Sequence, residues 1–276
     1  MQLAREGCHL ALSDVNEATL AETRALVAAL ANPVAAANPA AAAPGSTAAP
    51  ISITTARVDV SSRDEVFAWA AQVAREHGRV NLIFNNAGVA IGATAEGITP
   101  EDFHWILGIN FWGVVHGTQA FLPHLRASGE GHVVNVSSLF GLIAVPGQSA
   151  YNASKFAVRG FTESLRQELD LMRSPVSATC VHPGGVKTSI ARSSRVSQSL
   201  RELGQQDPEA ATRQFEVAFR TTAGEAAAQI LRGVRRNARR VLVGADARAL
   251  DLLQRLLPSA YQRLSVLAAR RFLRGG

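Results

Sequence analysis

Residues 132–169, HVVNVSSLFGLIAVPGQSAYNASKFAVRGFTESLRQEL, contain a strand, a turn and a helix in one run. The first seven residues are mostly β-branched or small, as a strand buried on both faces requires. Pro146 and Gly147 punctuate the chain, and from Tyr151 onward apolar side chains recur at helical spacing. The same rhythm extends outward. Strand-like CHLALS (8–13), TARVDV (55–60), NLIFNNAG (81–88), VSATCVH (176–182) and RVLVG (240–244) alternate with helical stretches. Such alternation predicts an α/β fold, a doubly wound parallel sheet with helices on both faces, with ligands beyond the carboxyl ends of the strands.

A chain of 276 residues is long enough to bury one sizeable core. With 47% hydrophobic and 18% charged residues, and mean hydropathy of +0.07, it reads as a soluble globular protein. The net charge of +6 gathers late in the chain and does not by itself imply a nucleic-acid partner. Cys8 and Cys180 lie in apolar stretches without metal-ligand spacing, which predicts buried free thiols and a reducing cytoplasm. The seven histidines show no ligand pairing, and none is assigned to a metal.

Chemistry enters at Tyr151 and Lys155. Four residues apart on a helix, they share one face. A phenol ordinarily ionises near pH ~10, so acid/base work near neutrality needs a positive neighbour favouring phenolate, and a lysine one turn away supplies it. The chain has two lysines, Lys155 and Lys187, among many arginines, so an ammonium at position 155 stands out. Ser138, closing the strand of the opening segment, offers a hydroxyl to a substrate oxygen.

Asn85-Asn-Ala-Gly88, the Asn110 of INFWG, VNVSS ending in Ser138, Tyr151-x-x-x-Lys155 and Pro183 to Thr188 (PGGVKT) occur in an order and spacing that resembles the short-chain dehydrogenase/reductase family. The resemblance implies a nicotinamide-dependent oxidoreductase acting on a small-molecule alcohol or ketone, with hydride transfer by the cofactor. It assigns Tyr151 as acid/base, Lys155 to the phenol and the nicotinamide ribose, Ser138 to the substrate oxygen, and Asn110 to a water linking Lys155 to solvent. It places Asn86, Ala87 and Gly88 at the adenosine ribose, Asp59 and Val60 at the adenine, and Val186 and Thr188 at the carboxamide and phosphates. Asp14, at the tip of its strand, is suited to a ribose 2′-OH and repels a 2′-phosphate, which predicts NAD over NADP; its other reading is a helix N-cap. A homodimer or homotetramer is also implied.

The front departs from that family's pattern. No strand followed by Thr-Gly-x-x-x-Gly-x-Gly precedes CHLALS; MQLAREG instead reads as the end of a helix capped by Gly7. The expectation is an N-terminally incomplete sheet, lacking a central strand and the loop that receives a pyrophosphate, with some twenty residues preceding Met1. The alternative is a cofactor-incompetent relative acting as a binding or scaffold protein. Residues 1–245 are read as the main domain, with an Ala/Pro-rich insertion at 31–54 and a mobile substrate lid at 189–222. A basic amphipathic extension follows at 246–276, available for subunit packing or weak peripheral membrane contact. Leu139, Phe140, Leu142, Ile143 and Val145 are expected to form an apolar wall for a lipophilic substrate.

Overall fold

A computed structural model describes residues 1–31, 51–190, 193–205, 207 and 219–274. The elements are α1 (Gln2–Arg5), β1 (Leu10–Asp14), α2 (Glu17–Ala31), β2 (Ile53–Arg57), α3 (Arg63–His77), β3 (Leu82–Asn85), β4 (Ile91–Gly92), α4 (Pro100–Leu107), a π-helical turn at Gly108–Trp112, and α5 (Gly113–Ala127). There follow β5 (Gly131–Val136), a 3₁₀ turn at Leu139–Gly141, α6 (Ser149–Leu171), β6 (Val176–Pro183), β7 (Val186–Lys187), β8 (Arg195–Val196), a 3₁₀ turn at Gln198–Leu203, and β9 (Thr221–Thr222). The last are α7 (Ala223–Arg235), β10 (Arg240–Val243), α8 (Ala245–Leu256) and α9 (Tyr261–Arg274). Strand, helix, strand alternation gives the expected parallel α/β arrangement.

The main sheet has the order β10-β6-β5-β3, all parallel. β5 is buried along most of its length and pairs on both sides, with Val133 facing Ile83 of β3 and Ala178 of β6. Among the described residues β1 pairs only with β2, also in parallel, as a separate two-stranded sheet. Among the described residues no ladder joins β1 to β3. The place between them is where the sequence reading expects a further strand.

One apolar core binds the two pieces together. Val66, Ala70 and Val73 of α3, Phe121 and Leu125 of α5, and Val133 of β5 are its centre, and Ala11 of β1 and Ala56 of β2 pack against it. Trp69 meets Phe121 edge-on, with centroids 5.1 Å apart. A polar ladder crosses the sheet: Asn85 Nδ2 donates to Thr118 Oγ1 (3.2 Å) and Asn135 Oδ1 (2.8 Å), and Asn135 Nδ2 donates to Thr162 Oγ1 (3.0 Å).

Helix α1 ends as its sequence predicts. Gly7 takes a left-handed φ of 79°, and the Cys8 N–H returns to the Leu3 carbonyl at 3.1 Å, closing a Schellman-type end. Cys180 is buried as expected, whereas Cys8, beside this turn, is only half-buried. β2 starts at Ile53, so it overlaps the end of the expected insertion; residues 32–50 of that insertion lie outside the described residues. Of the expected lid, 191–192, 206 and 208–218 lie outside them as well. Its described part is fastened down: β8 pairs with β4, Leu200 is buried, and Arg195 binds Asp102 at 2.6 Å while lying 3.6 Å over Trp105. No helix among the described residues is long and apolar enough to cross a membrane.

Candidate active site

Strand ends and helix starts place the expected side chains. β5 stops at Val136, and two residues later Ser138, in extended backbone, caps the next turn by accepting from the Phe140 N–H at 3.1 Å. α6 begins at Ser149, putting Tyr151 in its first turn and Lys155 one turn further on the same face. The Tyr151 phenol lies within electrostatic reach of the Ser138 side chain. Lys155 is 3% exposed; its Nζ donates to the Val136 carbonyl at 3.1 Å and lies 5.7 Å from the centre of the Tyr151 ring. Phe140 stands edge-on to Tyr151 at 6.1 Å. Ser138, Tyr151 and Lys155 therefore come together at one strand end.

Electrostatics there is ruled by burial. Burial pushes the Tyr151 phenol above its ordinary value, with the Ser138 side chain pulling the other way. Burial likewise pushes the Lys155 ammonium down to about 8, opposed by Cys180. The sequence reading has Lys155 drawing the phenol down; in this structure desolvation raises it, and the opposing influence comes from Ser138.

Asn110 sits in the π-helical turn rather than in a regular helix, and its amide is engaged on both sides. Oδ1 accepts from the Val89 N–H at 2.8 Å; Nδ2 donates to the Val89 carbonyl at 2.9 Å and to Ser154 Oγ at 3.1 Å. Ser154 Oγ in turn donates to the Tyr151 carbonyl at 2.8 Å. The residue thus clamps the loop after β3 onto α6. A Cβ at Gly88 would lie 3.3 Å from Asn110 Oδ1 and 3.4 Å from Lys155 Nζ, so the NNAG loop passes directly over the lysine.

The remaining expected residues lie at strand ends. Asp14 is exposed at the end of β1, its Oδ1 accepting from the Asn16 N–H at 2.9 Å. Asn16, not Asp14, caps α2, accepting from Ala18 and Thr19 at 3.1 and 3.2 Å. Asp59, past β2, receives the Ser61 N–H and hydroxyl, and the Val60 carbonyl is bonded to His116 Nδ1 at 3.1 Å. Asn86 and Ala87 are exposed. Val186 packs partly against Val181 and Val134, and Thr188 is exposed beyond β7.

The apolar wall is corrected in part. Leu139, Leu142 and Ile143 are buried with Tyr261, and with Leu250 and Leu253 of α8, so they face the carboxyl-terminal helices. Phe140 is the member of that run that meets Tyr151. Sequence reasoning passed over His182, fully buried, whose Nδ1 bonds the Ser138 carbonyl at 2.9 Å, and Ser137, whose Oγ donates to the Lys155 carbonyl at 2.8 Å. The doubled serine of VNVSS was the available signal for Ser137; a lone histidine in a strand gave none for His182.

A phenol, a hydroxyl and a buried ammonium stand together at the carboxyl end of a central parallel strand of a doubly wound fold, where such folds bind their ligands. The family model for short chain dehydrogenases matches residues 1–199, and the chain belongs to that family of oxidoreductases. A Mycobacterium tuberculosis protein described as an oxidoreductase, SadH, is 43% identical over 99% of this chain and 90% of its own length. A short-chain dehydrogenase/reductase from Burkholderia phymatum, solved in complex with NAD, superposes with a TM-score of 0.75 at 29% identity, covering 92% of this chain and 86% of that one. Levodione reductase gives a TM-score of 0.71 at 26% identity, covering 90% of each chain.

Proposed function

We propose that this oxidoreductase interconverts a secondary alcohol and a ketone with NAD(H), on a lipophilic small molecule. The observation that carries the proposal is the buried Lys155, with its Nζ 5.7 Å from the centre of the Tyr151 ring and bonded to the Val136 carbonyl two residues before Ser138. Lys155 has three N–H donors and one protein acceptor, the Val136 carbonyl, among the described residues; its other donors suit ribose hydroxyls. The exposed Asn86 and Ala87, and the close pass of Gly88 over Lys155, fit a dinucleotide along the same edge, with Asp59, Val60, Val186 and Thr188 further out. Asp14 supports NAD over NADP, since its carboxylate accepts from a 2′-OH and repels a 2′-phosphate.

A nicotinamide bound there supplies or accepts the hydride. Ser138 Oγ holds the substrate oxygen next to Tyr151. In reduction the Tyr151 hydroxyl gives that oxygen its proton; in oxidation the phenolate takes the alcohol proton. Asn110 keeps the loop over Lys155 in place. Phe140 and the apolar residues beside Tyr151, among them Val89 and Ile91, favour a lipophilic skeleton. The scaffold reading is not favoured, since the chain belongs to an enzyme family and its acid/base groups stand together. Exposed Trp112 and Phe156 support a homodimer or homotetramer, and the free thiols Cys8 and Cys180 support a cytoplasmic location.

The test is NAD(H)-coupled turnover of a panel of secondary alcohols and ketones by the wild type and by Tyr151→Phe. The expected result is turnover of lipophilic members, lost by at least a thousandfold in the variant with its melting temperature retained. Undiminished turnover in Tyr151→Phe overturns the mechanism. Turnover confined to small sugars overturns the substrate class, and equal dissociation constants for NADH and NADPH overturn the cofactor choice.

A further inference from the structure

The carboxyl-terminal helices leave a large apolar surface uncovered. Tyr261 anchors α9: it is buried and its hydroxyl accepts the Ala144 N–H at 3.2 Å. Ser265 and Ala269, one and two turns on, are half-buried on the same face. Away from that face Leu264 and Leu267 are 44% and 55% exposed, and on α8 Leu252 and Leu256 are 57% and 70% exposed. Single exposed leucines are ordinary, but Leu264 and Leu267 lie three residues apart on one face of α9, and Leu252 and Leu256 four apart on one face of α8, so each helix carries an apolar stripe.

The charge around them is of one sign. Arg248, Arg255, Arg263, Arg270 and Arg271 are exposed on these helices. α9 contains no acidic residue, and the two carboxylates of α8 are engaged with the body of the protein. Asp246 accepts the Gly185 N–H at 2.6 Å; Asp251 is buried and bound to Arg240 at 3.1 Å and Arg255 at 2.9 Å.

We infer that α8 and α9 form a docking face for an anionic phospholipid bilayer. Leu264, Leu267 and Arg271 follow one another at i, i+3 and i+7, with Arg263 and Arg270 alongside, so leucines enter the acyl boundary while guanidinium groups reach lipid phosphates. A second copy of this chain is the poorer occupant. Two-fold packing would set arginines against arginines with no free carboxylate in α9 to pair them, and burying unpaired charge is expensive. The protein lies on the membrane rather than crossing it, as no described helix is long and apolar enough to span. This face is independent of the catalytic reading.

Co-sedimentation of the full chain with vesicles tests it, using phosphatidylcholine alone and phosphatidylcholine mixed with phosphatidylglycerol. Binding to the mixed vesicles only, falling with added salt, is expected. At ~1 kcal/mol per basic residue, Arg263→Gln, Arg270→Gln and Arg271→Gln combined weaken binding about a hundredfold. Leu264→Asn with Leu267→Asn weakens it at least tenfold. Circular dichroism and the melting temperature of both variants match the wild type, since the altered side chains are exposed. Absence of binding to mixed vesicles, equal binding to both vesicle types, or wild-type binding by the variants overturns the inference. So does light scattering that shows an oligomer dispersed by the leucine variant, which makes the face a subunit contact.

Discussion

Lys155 shows what the site demands of a single residue. Burial holds its ammonium down to about 8, against about 10.5 for a free lysine, so below pH 8 the folded protein carries a charge it would shed more readily than the unfolded chain does. The sign follows: the penalty is fully present below pH 8 and is relieved as pH rises toward 10.5. Its size is roughly 3 kcal/mol, offset by about 1 kcal/mol from the bond to Val136. Lys155→Met is therefore expected to raise the melting temperature at pH 7 by several degrees, to lose that advantage by pH 10, and to be inactive. A variant less stable than wild type at pH 7 contradicts this. The phenol carries a matching prediction. Because burial raises it, Tyr151 is protonated at neutral pH, so oxidation, which needs phenolate, rises with pH while reduction does not. Initial rates in both directions from pH 6 to 9 check it, and an oxidation rate that falls with pH overturns it.

At the scale of the element, glycines separate packing from propensity. Gly117 of α5 faces β3 so closely that a Cβ there would lie 2.0 Å from Asn85 Oδ1, the head of the polar ladder. Gly117→Ala is expected to destabilise by about 3 kcal/mol, lowering the melting temperature by roughly 5–10 °C. Gly160 of α6 is exposed with nothing within 4 Å, so Gly160→Ala should stabilise by about 0.5–1 kcal/mol. Equal effects in calorimetry would contradict this assignment of faces. The same distinction explains what the sequence disclosed. β-branched runs announced the main strands because strands buried on both faces have little alternative. Tyr151 and Lys155 were legible because the interval that makes them neighbours is local, and Ser138 because it closes a strand. The roles of Leu139, Leu142 and Ile143 were not, since an apolar residue in a turn does not reveal which neighbour will cover it; here Tyr261, more than a hundred residues later, does. His182 and Ser154 were missed for the same reason, as their partners come from elsewhere in the fold or from backbone groups.

Across the whole molecule, two histidines at the centre of the main sheet couple stability to pH. His132 of β5 is bonded to Thr179 Oγ1 at 2.7 Å, and His182 of β6 has its Nδ1 on the Ser138 carbonyl while Nε2 has no partner among the described residues. Burial is the main cause that pushes each down to about 4. An unfolded histidine ionises near pH ~6.5, so between 6.5 and 4 the unfolded chain binds protons that the folded one refuses, and stability falls as pH falls. At roughly 3 kcal/mol for each, the loss is comparable with the ~5–15 kcal/mol that holds a typical domain together. Because both rings are buried in adjacent strands of one ladder, charging either opens the sheet rather than a local flap. The molecule is therefore expected to unfold cooperatively between pH 6 and 4, before most carboxylates are protonated. Urea melts at pH 7.5, 6 and 5 measure this, with His132→Gln plus His182→Asn as the comparison. Both replacements keep a hydrogen-bonding amide and remove the titration, so the variant, although less stable at pH 7.5, should lose far less stability between pH 7.5 and 5. A wild-type pH slope in that double variant would assign the acid sensitivity to carboxylates instead.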